Sequence, residues 1–426
     1  MSAAAFLAWP SEAAEPAPEP RAPSGAGLFY PAEPKRLADL VKRLLASERP
    51  RRGEAPAGKI IGLLVPHAGL EFTGAAAARA YALLAKDGYD AVVILGAAHR
   101  GAFDGAAIYP GPYATPEGTL PYDRRLARAL VEADPLFRLD AGAHEGEQAV
   151  ELQVPFLRRR LGAVPTLGIL LSTQELHEYQ RVGEILAKAL KGRRALIVAS
   201  SDLAQFPSGA DADRLDASNL LALSALDPEL LWKANRLQAA RGVPDLKASF
   251  CGEAAVGAML AAVRALGAAD SRVVARLNSG DAVSERDYKH VVGHAAMVFM
   301  KTPRKSPDPM GVSEADGRKL VAAARGVVEK ALSSGEVPAP GLSEVPRFNL
   351  PGAVSVSLRA PGGAEFGRAA DDQEESSLLE STVRNALRAA RAAKDGGLEA
   401  EAVRLLRLSV SVRPARPGGQ ALEFSE

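Results

Sequence analysis

The sequence predicts an α/β fold with a largely parallel sheet, followed by a smaller α+β unit. Two observations carry this. Short apolar runs recur at Lys59–Val65, Ala91–Leu95, Thr166–Leu171 and Ala195–Ala199, and such runs read as strands buried on both faces. Helical patterns lie between several of them, at Gly74–Leu84, Tyr122–Ala133 and Gln174–Leu190. Strand, helix, strand repetition means βαβ units.

The elements follow in order. Residues 1–25, rich in Ala, Glu and Pro, read as a disordered tail without a secretory signal, and structure is expected to begin near Leu28. Leu37, Leu40, Val41, Leu44 and Leu45 are spaced for a helix over Pro34–Ala46, with Pro31 and Pro34 where proline is tolerated. After the four core runs, Val291–Phe299 is expected as a last strand. Residues 302–312 hold three prolines and no periodicity, and read as a linker. Beyond it, Ser313–Ser333 and Glu375–Ala393 are helical by pattern, while Ala353–Leu358 and Leu406–Val412 alternate as half-buried strands do.

Composition narrows the function classes. The 426 residues carry 52 Lys+Arg against 51 Asp+Glu, a net charge of +1, which removes the electrostatic case for nucleic acid or an anionic membrane. No apolar run approaches the ~18 residues that span a bilayer, so a cytoplasmic protein is expected. One cysteine, Cys251, excludes an intrachain disulfide and cysteine-rich metal clusters.

Three segments each follow the carboxyl end of a predicted core strand: Pro66–Gly69, Gly96–His99 and Ser200–Asp202. Ligands of open parallel sheets bind at those ends, so His67, His99 and Asp202 are candidates to converge. Cys251 precedes a helix start, where the dipole lowers a thiol pKa. Two imidazoles and a thiolate make a three-ligand set for a first-row metal with one position open. The competing reading is a capping His after a strand and a Cys that is a small buried hydrophobe. Elsewhere, Glu147 and Glu151 are four apart and read as a solvated helix face beside His144. His177 reads as a surface residue. His290 and His294 enter a predicted strand and read as structural. Gly-x-Ser-x-Gly, Gly-x-Gly-x-x-Gly and a phosphate-cradling loop are all missing, which leaves serine-hydrolase and nucleotide chemistry unsupported.

These residues resemble the Memo family, called AmmeMemoRadiSam system protein B in prokaryotes. The resemblance runs from about Arg21 to Lys301 and rests on Gly27–Pro31, Val65–Gly69, Phe72–Gly74, Ile94–His99, Ala143–Phe156, Ser200–Leu203 and Cys251–Gly252. It implies a three-layer αβα domain over residues 26–301, similar to class III extradiol dioxygenases. It also implies an iron or copper ion on His67, His99 and Cys251, with Asp202 as acid, base or supporting group. Two family histidines are replaced, by Gln148 and Gln205, and glutamine cannot transfer protons near neutral pH. His144 is the neighbouring imidazole that would substitute. Residues 313–426 resemble a shortened AmmeMemoRadiSam system protein A domain without its Leu-Arg-Gly-Cys-Ile-Gly motif. A radical SAM protein of the same system is the partner that the resemblance implies, and a small organic molecule the substrate of any oxidation. The rivals are a non-catalytic scaffold and a hydrolase with Cys251 as nucleophile.

Overall fold

The computed structural model of the chain describes residues 18–51, 54–282, 287–302, 309–333, 336–371, 375–398, 405–415 and 421–425. The larger unit is built on eight strands: β1 (Lys59–Val65), β2 (Ala91–Ala97), β3 (Ala106–Ile108), β4 (Phe137–Leu139), β5 (Thr166–Leu171), β6 (Ala195–Ser200), β7 (Asp270–Asn278) and β8 (Gly293–Lys301). Their order across the sheet is β4-β3-β5-β2-β6-β1-β8-β7. The middle strands β5, β2, β6 and β1 run parallel. The apolar runs read from the sequence are these four. The sheet as a whole is mixed. The last strand, β8, runs antiparallel to β1 on one side and to β7 on the other. On the opposite side β3 is antiparallel to β5.

Among the described residues, eight helices of two turns or more flank this sheet: α1 (Pro34–Ser47), α2 (Leu70–Ala82), α3 (Arg124–Ala133), α4 (Val154–Leu161), α5 (Leu176–Ala189), α6 (Gly209–Ser224), α7 (Pro228–Ala240) and α8 (Glu253–Ala265). They form two layers. Leu63, Val65, Ile94 and Val198 pack against α1, α2 and α4 on one face. Leu64, Val93, Leu95 and Ile197 pack against α3, α5, α8 and their neighbours on the other. Alternate strand residues therefore reach opposite cores, which is why these strands are apolar throughout. The expected helix at Gly74 begins already at Leu70, and α6, α7, β3, β4 and β7 had no clear pattern in the sequence.

The smaller unit has helices α9 (Glu314–Ser333) and α10 (Leu378–Asp395) and strands β9 (Gly352–Arg359), β10 (Glu365–Ala370), β11 (Arg407–Pro414) and β12 (Leu422–Ser425). The strands form one antiparallel sheet in the order β10-β9-β11-β12. Val354, Val356, Leu358, Val410 and Val412 face the helices, as their alternation requires. A capping box between Ser377 and Glu380 starts α10.

Two boundaries differ from expectation. Residues 1–17 of the expected tail lie outside the described residues, but from Pro18 onward the chain belongs to the fold. Arg21 is buried, and its guanidinium bonds Glu151 and the carbonyl oxygens of His144 and Glu147. A buried carboxylate at Glu151 demands such a cation. Part of the expected linker, residues 303–308, also lies outside the described residues, whereas Met310 is buried with Ala222, Leu230 and Ala234 of α6 and α7, and Val312 in the core of the smaller unit.

Close helix packing supplies a test. A Cβ on Gly183 of α5 would lie 2.3 Å from the carbonyl oxygen of Ala258 in α8, whereas one on Gly326 in α9 meets nothing within 4 Å. Gly183→Ala is expected to destabilise the chain by ~1–3 kcal/mol through overpacking. Gly326→Ala is expected to stabilise it by ~0.5–1 kcal/mol through helix propensity. Denaturant titration of both variants checks the opposite signs.

Candidate metal centre

Strands β2, β6 and β1 are adjacent and parallel, and their register levels their carboxyl ends. Val65 and Gly96 both pair with Ser200. His67, His99 and Asp202 each follow within a few residues of these ends, so residues far apart in sequence meet at one edge. Cys251 arrives on the turn before α8. Its N–H donates to the Asp202 carbonyl at 3.2 Å, and the Gly252 N–H donates to Ser201 Oγ at 2.9 Å. Those two bonds hold the thiol above the strand ends.

The thiol sulfur faces two imidazoles. Cys251 Sγ lies 2.9 Å from His99 Nε2 and 3.3 Å from His67 Nε2. Ligand atoms of all three side chains lie within 4.8 Å of one another, so they are close enough to hold one metal ion. The two rings meet edge to face with centroids 5.0 Å apart. His67 is buried, and Cys251 and His99 form the more open side of the group.

What stands behind the rings sets their tautomers. His99 Nδ1 lies 2.9 Å from Glu147 Oε1, so its proton is donated to that carboxylate. Glu147 Oε2 also accepts the His99 backbone N–H at 2.7 Å. His67 Nδ1 lies 3.4 Å from Ser200 Oγ. The Ser200 hydroxyl proton goes to the Ala149 carbonyl at 2.6 Å, so this oxygen accepts from His67 Nδ1–H. Both histidines therefore commit Nδ1 to a second partner and turn Nε2 to the sulfur. Metal-binding histidines are oriented in this way.

The electrostatics follow from the same contacts. Burial pushes the Cys251 thiol up, but hydrogen bonds and charge from His67 and His99 outweigh it and hold the thiol at about 6. Hydrogen bonds to Cys251 and Glu147 raise His99 to about 10. Burial opposes ionisation of Glu147, yet the bonds from His99 hold it at about 2. Burial lowers His67, and the charge of Asp202 together with Cys251 overcomes this and raises it. The resting arrangement is thus a thiolate beside cationic imidazole, backed by carboxylates.

Asp202 sits behind His67. Its Oδ1 accepts the His67 backbone N–H at 3.2 Å and bonds His294 Nδ1 at 2.9 Å, while Oδ2 lies 3.7 Å from His67 Nε2. His67 and His294 together hold this buried carboxyl below the usual range despite desolvation. His294, read from the sequence as structural, is thus part of the wall of the site. The signal was available in its four-residue spacing from His290, but that spacing has no meaning on a strand.

Other candidates fall elsewhere. His144 is fully buried, and its ring bonds the Tyr113 hydroxyl and the Ala107 carbonyl. Burial lowers it to about 4, so it is neutral, donates from Nε2 to Ala107 and accepts from Tyr113. Neither nitrogen faces the Cys251 group. Glu147 and Glu151 are a correction: neither is on a solvated helix face. Both are buried, Glu147 on His99 and Glu151 on Arg21, Ser24, Gly25 and Tyr30. No single helix carries both: Glu147 lies between the short 3₁₀ helices Gly142–His144 and Glu151–Gln153, and Glu151 begins the second. Gln148 and Gln205 are half-buried, and Gln205 joins Ala248 and Val292 through its backbone. His177 and His290 are exposed.

Comparison with known proteins adds the lineage. A family profile described as Memo-like protein matches residues 21–298. The chain is 31% identical over 291 residues to a MEMO1 family protein of Methanopyrus kandleri, covering 66% of this chain and 99% of that one. A MEMO1 family protein of Methanocaldococcus jannaschii is 31% identical over 291 residues, covering 65% and 98%. A solved structure, an uncharacterized protein of Escherichia coli K12, overlays with a TM-score of 0.40 and 14% identity, covering 56% of this chain and 100% of that one, too distant to bear on the fold. The matched residues are those that carry His67, His99, Asp202 and Cys251 to one edge of the sheet, and they make this chain a member of the Memo-like protein family.

Proposed function

We propose that this chain is a metal-binding protein that holds an iron or copper ion on His67, His99 and Cys251 and serves metal-centred redox chemistry. One observation supports it above the others: two imidazoles present Nε2 to one thiolate while their Nδ1 protons are taken up by Glu147 and Ser200. Imidazole and thiolate suit copper and iron, and the bound ion would supply a Lewis-acidic, redox-active centre. His67, His99 and Cys251 would hold it. Glu147 and Ser200 keep the imidazoles turned toward it, and Asp202 fixes the His67 backbone and offers a carboxylate beside Nε2. The likeness to class III extradiol dioxygenases and the partnership with a radical SAM protein belong to this reading, as does the degenerate protein A-like character of residues 313–426. Gln148 and Gln205 supply no imidazole for proton transfer, which leaves Asp202, with Oδ2 3.7 Å from His67 Nε2, as the carboxylate on the ligand-nitrogen side of the site.

A second reading rests on a specific contact as well. Cys251, His99 and Glu147 also make a nucleophile, base and orienting carboxylate. Against it, the amides of Cys251 and Gly252 are already bonded to Asp202 and Ser201, so they do not serve as oxyanion donors. A hydrolase also has no use for the second imidazole on the sulfur.

Metal content decides between them. Protein purified without oxygen is expected to carry stoichiometric iron or copper by mass spectrometry, lost in Cys251→Ala and in His67→Ala. A metal-free parent with a freely alkylated thiol would overturn the metal reading. Glu147→Gln keeps the three ligands but weakens the support of His99, and is expected to lower metal affinity by ~10–100-fold.

The pH dependence of the metal-free thiol is a separate test. Thiolate is the reactive form, so iodoacetamide alkylation of Cys251 is slow in acid and rises through about pH 6. An unperturbed thiol would rise near pH ~8.5. His99→Ala removes one stabilising partner, and the midpoint is expected to move up.

A further inference from the structure

The C-terminal unit contributes no ligand to the site proposed above, yet it leans on the helix that holds two of the site loops. Helix α6 reaches both. Its Asp216 Oδ1 accepts the N–H of Ala204 at 3.0 Å, two residues past Asp202. Its Asn219 Nδ2 donates to the Ser249 carbonyl at 3.0 Å, two residues before Cys251. The Asp216 carboxylate also fills the space over Gly293, where a Cβ would lie 1.8 Å from Oδ2, so only glycine fits beside His294.

The same helix is the seat of the C-terminal unit. Buried Asn349 donates from Nδ2 to Ser218 Oγ at 3.1 Å and to the Ser343 carbonyl at 2.8 Å, and its Oδ1 accepts the Ser343 N–H at 2.8 Å. Glu344 pairs with Arg214 of α6 at 2.6 Å. Leu342 packs on the cluster that contains Ala204 and Val291. Ser218 and Asn219 are neighbours on one helix, so a shift of α6 on the Asn349 side is a shift on the Ser249 side.

We propose that the C-terminal unit is an internal positioning domain: docked on α6 through Asn349, it fixes the loops that carry Asp202 and Cys251. Asn349 touches none of the proposed ligands and is a positioning residue. The idea rests on the metal reading only for what the site does.

The test uses the full chain and needs no metal, so its outcome is separate from that of the metal reading. Asn349→Ala and Ser218→Ala remove the same bond from its two sides. Val356→Ala, in the C-terminal core away from α6, controls for general loosening. Each is measured for melting temperature, for hydrogen exchange of segments 201–206 and 249–253, and for the alkylation rate of Cys251 at fixed pH. The first two variants are expected to speed exchange and alkylation roughly fivefold, the factor that one lost buried hydrogen bond of about 1 kcal/mol gives. The control is expected to melt lower without either change. Unchanged exchange and alkylation in Asn349→Ala overturns the proposal, and so does an equal change in Val356→Ala.

Discussion

The register of three adjacent parallel strands is the constraint on which the rest of the site depends. Val65, Gly96 and Ser200 are level across β1, β2 and β6, and strands lie only ~4.8 Å apart. Side chains a few residues past those ends must share one small space. A slip of one strand by one residue would turn its apolar side chains from one helical layer to the other, so both cores oppose it. The hydrophobic packing that holds the sheet thereby also holds the geometry at its edge. Cys251 is the exception. It belongs to no strand and depends on backbone bonds to Asp202 and Ser201 for its place.

Charge explains why the surrounding residues are buried acids. A thiolate beside the cationic His99 imidazole in a half-buried site needs carboxylates behind it, or burial would neutralise the group. Glu147 answers His99, and Asp202 answers His67. Asp202 is itself held by His294. Arg21 ties this shell to the start of the described chain by gripping Glu151 and the carbonyl of Glu147. The N-terminal strap, the loop over residues 144–147 and His99 are therefore one connected unit. Binding of a metal ion requires loss of the protons that the thiolate and imidazoles share, so acid opposes it.

Much of the frame was legible in the residues. Each central strand is an uninterrupted apolar run because both its faces are covered, and such runs stand out in any chain. The residues just past them were candidates by position alone. His67, His99 and Asp202 could be located this way, and Cys251 by being the sole thiol, although their grouping came from family resemblance. Helices α6 and α7 were harder to read. Buried Asp216, Ser218, Asn219 and Gln238 interrupt their apolar stripes, because these helices hold loops and a second unit as well as a core.

The sequence by itself determined the strand-and-helix alternation, the strand-end positions of the two histidines and the near-neutral charge. These are local properties, set by period, residue type and count. Only the tertiary structure decided the mixed direction of the sheet, the burial of Glu147 and Glu151, the sealed ring of His144 and the place of His294 beside Asp202. Each of these depends on partners 30 or more residues away, such as Arg21 with Glu151, Tyr113 with His144 and Asp202 with His294. A spacing of four between two glutamates predicts one helix face only if one helix carries both. Here none does, because each carboxylate finds its buried cation or imidazole elsewhere in the fold.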